Sequence, residues 1–73
     1  MTNAQIRKAL KELKKIANGS NYNTSTFTRA VRDRFNNYIL SDSTADKIQE
    51  CLFGASYAQD EALKELNYWL NQY

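Results

Sequence analysis

These 73 residues have room for one small domain, and the usual staples of small domains are missing. A single cysteine forbids an intrachain disulfide, and one thiol without any histidine cannot make a structural zinc site. The net charge of +2 conceals a split: residues 1–40 hold eight Lys/Arg against two acids, a net +6, while residues 41–73 hold two Lys against six acids, a net −4.

The absence of proline and the presence of only two glycines favour uninterrupted helices. The first predicted helix covers about 3–18. Thr2-Asn3-Ala4-Gln5 has the form of a capping box, a hydroxyl at N-cap and Gln at N3. At 100° per residue, Ile6, Leu10, Leu13 and Ala17 form one stripe with Ala9 and Ile16 on its flanks. Arg7, Lys8, Lys11, Lys14 and Lys15 share an arc of about 120° on the other side. Asn18-Gly19 is a helix stop, and a polar loop runs from Gly19 to Asn23.

Thr24 or Ser25 is placed to cap a second helix, about 25–40. Its apolar face is Phe27, Val31, Phe35 and Tyr38, with Ala30 and Ile39 beside it; Arg29, Arg32 and Asn36 lie opposite. Arg34 falls at the edge of the apolar arc. It is expected to pack its stem and extend its guanidinium to water, with a pair to an acid of the C-terminal half or an interface contact as alternatives. Ser43-Thr44-Ala45-Asp46 opens a short third helix, about 44–53, ended by Gly54, with Ala45, Ile48 and Leu52 inward. Ser56-Tyr57-Ala58-Gln59 has the box form again and opens a fourth helix, about 57–71, with Ala62, Leu63, Leu66, Trp69, Leu70 and Tyr73 on its apolar face. Caps and periodicity agree, so the fold class is all-α: a single-domain bundle of four helices, the third short.

Catalysis has little to work with. There is no histidine to serve as base, and Cys51, next to Glu50 and at the border of an apolar arc, reads as a packed, inert thiol. The pairs Asp46/Glu50 and Glu61/Glu65 sit one turn apart on solvated faces, with Lys64 able to bond back to Asp60. Neither an EF-hand loop nor a phosphate-cradling glycine motif occurs, so no enzyme activity, cofactor or metal is expected. No apolar run approaches the ~20 residues of a membrane span and no apolar leader opens the sequence, which points to a cytoplasmic protein.

Binding is the better expectation. The basic set Arg7, Lys8, Lys11, Lys14, Lys15, Arg29 and Arg32 could follow a phosphate backbone or face an acidic partner. The acidic stripe Asp42, Asp46 and Glu50, with the tyrosines Tyr22 and Tyr68, forms a second candidate surface, suited to a protein partner. The two signs of charge would also match each other across a homodimer. The favoured reading is a small binding protein that regulates or inhibits a macromolecular partner by occupying its surface, in the manner of phage and mobile-element accessory proteins. A protein partner ranks first and nucleic acid second.

Overall fold

The structure, a computed structural model, describes residues 2–35 and 43–73. Among the described residues the chain forms four helices: α1 (Asn3–Ala17), α2 (Thr24–Phe35), α3 (Ser43–Ala55) and α4 (Gln59–Leu70). The all-α reading therefore holds. The positions expected to extend the second helix beyond Phe35, with Asn36, Tyr38 and Ile39, lie outside the described residues, as does Asp42 of the acidic stripe.

The apolar stripes meet in one core. Ile6, Leu10 and Leu13 of α1, Phe27 and Val31 of α2, Ile48 and Leu52 of α3 and Leu66 of α4 are almost completely buried. Trp69 joins them, while Leu63, Leu70 and Tyr73 are only partly covered at the margin. Side chains of this size contribute about 1.5–3 kcal/mol each when fully buried, which is how so short a chain offsets its conformational entropy without an intrachain disulfide. Each helix packs on the next, and α4 closes back on α1.

Helix ends are where sequence and structure part. The first capping box forms: Gln5 N–H donates to Thr2 Oγ1 (3.1 Å), and Thr2 N–H donates to Gln5 Oε1 (2.8 Å). The second helix is capped one residue earlier than expected, by Asn23, whose Oδ1 accepts from Thr26 N–H (3.1 Å). Thr24, already helical, instead donates its hydroxyl to the Ser56 carbonyl (2.9 Å). The third helix runs through Gly54 to Ala55. The box expected at Ser56–Gln59 does not form. α4 starts two residues later, with extended Ala58 as N-cap and no side-chain cap bond.

The reason is that both polar members of that box are used elsewhere. Ser56 is buried; its Oγ donates to Phe53 O (2.7 Å), and its carbonyl accepts from Thr24 and from the Tyr22 hydroxyl. Gln59 Nε2 donates to two carbonyls at the end of α1, Ala17 O (2.8 Å) and Gly19 O (2.9 Å). At the other end of the same helix pair, Arg7 Nη1 donates to Leu70 O (3.0 Å). These contacts tie the start of each of α1 and α4 to the end of the other, so the two run antiparallel. The Tyr22 and Thr24 bonds to Ser56 set the start of α2 against the end of α3 in the same sense.

Replacing Gln59 with Ala should cost about 1 kcal/mol in urea unfolding, the net worth of its hydrogen bonds, and Gln59→Glu more, because a carboxylate would then face two carbonyls. A second outcome concerns pH. Burial raises the Tyr22 phenol above its ordinary value, against a smaller lowering from the Thr24 hydrogen bond. The folded state thus holds this proton more tightly than the unfolded chain. The resulting stability is complete below the ordinary tyrosine value and is lost as pH rises through the folded value. Urea midpoints measured between neutral and strongly alkaline pH should fall, and Tyr22→Phe should flatten that fall.

Candidate binding groove between the third and fourth helices

The basic arc of α1 is divided by the fold. Arg7 is committed to the α4 carbonyl end. Lys8, Lys11, Lys14 and Lys15 remain exposed, and none of them has an ion-pair partner among the described residues. Lys8, Lys11 and Lys15 border a shallow depression of about 390 Å³ with Ala4, Arg7 and Glu12. Arg32 lies over the Phe53 ring, its guanidinium carbon 5.8 Å from the centroid, and so bridges α2 to α3. Arg29 is exposed on α2. Two of the seven basic residues expected to form one face are thus engaged inside the molecule.

Arg34 does not simply extend to water. Its Nε donates to Glu12 Oε1 (3.1 Å) and its Nη1 to Ala30 O (3.2 Å). The acid comes from α1, not from the C-terminal half, and both side chains keep substantial exposure, so the pair is worth about 1 kcal/mol at most. Lys64 pairs with Glu61 (3.6 Å), one residue away from the expected Asp60.

The tyrosines are also reassigned. Tyr22, expected as a surface anchor, is half-buried, packs on Phe27 with ring centroids 5.7 Å apart and bonds to Ser56. Tyr68 is 55% exposed, as expected, and sits edge-on to Trp69 (5.2 Å). Tyr57, outside the expected binding set, is the most exposed large apolar side chain among the described residues at 73%. It precedes α4 instead of opening it.

Tyr57 and Tyr68 line two depressions of about 340 and 540 Å³ along the seam of α3 and α4. The two depressions share Cys51, Glu61 and Glu65, so they form one groove. At one end Gly54, Ala55 and Tyr57 complete the lining and no basic residue contributes. At the other, Lys47 and Lys64 join Tyr68 and Trp69. The expected acidic stripe survives as Asp46 and Glu50, both exposed on α3. Glu65 is held in place by Trp69, whose Nε1 donates to its Oε1 (3.1 Å).

Cys51 is half-buried in the floor of this groove. Burial pushes its thiol up first, and the Glu65 carboxylate adds to that, opposed by Lys47. A thiol held protonated is a poor nucleophile. No cluster of three or more metal-ligating side chains occurs among the described residues, and no helix there is long and apolar enough to cross a membrane. Comparison of the chain with protein-family models, curated proteins and solved structures gives no match.

Glu65→Gln keeps an acceptor for Trp69 and removes the negative charge beside the thiol. Thiol–disulfide exchange at Cys51 near pH 8 should then become about two- to fivefold faster, since a tenfold gain in thiolate corresponds to one pKa unit. Reaction with a chromogenic disulfide, followed by absorbance, measures it.

Proposed function

We propose that this chain is a non-enzymatic binding protein that regulates or inhibits a protein partner by occupying its surface through the groove between α3 and α4. The observation that carries this reading is the placement of Tyr57 and Tyr68, the two exposed large apolar side chains among the described residues, on one groove. Tyrosine supplies large contact area at low entropic cost and recurs among interface hot spots. The groove floor adds Trp69 and Cys51, and the carboxylates around it add charge selection. A sequence without histidine and a thiol with a raised pKa support a binding role over a catalytic one.

Nucleic-acid binding is the second reading, favoured by one observation: the four exposed α1 lysines without ion-pair partners among the described residues. Such a row would contact phosphates and show steep salt dependence. The groove reading ranks first because exposed aromatic area is costlier to leave in water than exposed lysine.

The two readings separate in one affinity capture from the native host, with and without nuclease. Under the first, one stoichiometric protein survives nuclease and is retained by Lys11→Glu/Lys15→Glu, while Tyr57→Ala/Tyr68→Ala loses it by about tenfold or more in Kd. Loss on nuclease treatment or in the lysine variant, with the tyrosine variant unaffected, overturns the first reading in favour of the second. Helical content by circular dichroism should match in both variants, because all four side chains are exposed.

A further inference from the structure

Gly54 has no internal reason to be glycine. It lies within α3, where only proline is a poorer helix former. Its φ is not positive, so no left-handed helix cap is built on it. A Cβ added there would meet nothing within 4 Å, so packing does not exclude a side chain either. What the glycine does provide is bare backbone on the lip of the groove, at the end that Tyr57, Glu61 and Glu65 line without any basic residue. Glu50 and Asp60 are exposed on the same two helices.

We infer that this end of the groove receives an arginine-bearing segment of the protein partner, which lies against the α3 backbone at Gly54. The inference rests on the groove being the docking surface. Arginine fits the chemistry in three ways. Its planar guanidinium stacks on an aromatic face, and Tyr57 offers one that is 73% exposed. Its fork of donors pairs with carboxylates, and of the two on the lining Glu65 has no ion pair among the described residues and Glu61 has one there, a long 3.6 Å contact with Lys64. Its long stem needs a surface with no side chain in the way, which Gly54 leaves open. Lysine offers the same charge without the planar stack, so it should bind less tightly.

The probe is a tri-arginine peptide with blocked ends, titrated into the isotope-labelled protein and followed by amide shifts. Tri-lysine and tri-glutamate peptides of the same form are the comparisons. Shifts should concentrate at Gly54, Tyr57, Glu61 and Glu65, with tri-lysine weaker and tri-glutamate leaving these amides unmoved. Gly54→Ala should raise Tm yet weaken tri-arginine, and Gly54→Leu should raise its Kd about tenfold or more. The rise in Tm shows that loss of binding is not loss of fold. Equal binding by Gly54→Leu, shifts confined to other helices or equal affinity for tri-lysine would each overturn the inference. The captured partner separates this from the reading beneath it. If the partner is lost by Tyr57→Ala/Tyr68→Ala but bound normally by Gly54→Leu, the groove stands as the docking surface and the arginine site falls. If neither variant loses it, the groove reading falls as well.

Discussion

The carbonyl groups at the helix C-termini are the constraint on which the rest of this structure depends. A helix leaves its last four carbonyls without internal partners, and glycine in the left-handed conformation is the common local remedy. None of the described residues has positive φ, so that remedy is not used here. Local backbone N–H groups take some of these carbonyls, Asn18 bonding to Lys14 O and Asn71 to Asn67 O, and side chains from elsewhere in the fold take others: Gln59 bonds to Ala17 and Gly19 at the end of α1, and Arg7 to Leu70 at the end of α4. Tyr22 and Thr24 do the same for Ser56, just past α3. Because the bonds from Gln59, Arg7, Tyr22 and Thr24 are long-range, satisfying those carbonyls and fixing the packing order of the helices become a single event.

This use of side chains also sorts the positive charge. Arg7, Arg32 and Arg34 all make specific intramolecular contacts, to a carbonyl, an aromatic ring and a carboxylate. The lysines of α1 make none of these and stay in water. The difference follows from chemistry: a planar, weakly hydrated guanidinium gives directional bonds and stacks on rings, whereas an ammonium is strongly hydrated and better left solvated. The N-terminal charge excess therefore has two parts, one that locks helices together and one available to solvent or a partner.

The polar lock at Ser56 also presents the groove. Ser56 is buried at 4% exposure while the next residue, Tyr57, is 73% exposed. A turn fixed by three side-chain hydrogen bonds at one serine, two accepted by its carbonyl and one donated by its hydroxyl, carries an aromatic ring into solvent at the mouth of the α3–α4 seam. A pre-positioned ring loses less entropy on binding than one on a loose loop. The bond from Trp69 to Glu65 has the same effect further along, holding a carboxylate against the groove.

The sequence by itself determined the four helices, the core stripes and the first capping box, because periodicity and local capping act within a few residues of chain. Ile6, Leu10, Leu13, Val31, Ile48 and Leu66 could be read this way, since a stripe every three to four residues has one low-energy use. Tyr68 was legible as an exposed ring for the same reason. Only the tertiary structure decided what Ser56 and Gln59 do: the Gln59 amide is drawn to the Ala17 and Gly19 carbonyls 40 to 42 residues away, and Ser56, its hydroxyl turned back to Phe53 O, gives its carbonyl to Tyr22 and Thr24. It also decided that Tyr22 turns inward, that Arg34 meets Glu12 and that Tyr57, Cys51, Glu61 and Glu65 share a groove. Those outcomes depend on which helix lies beside which, and that is set by the closure of α4 on α1, which no local pattern encodes.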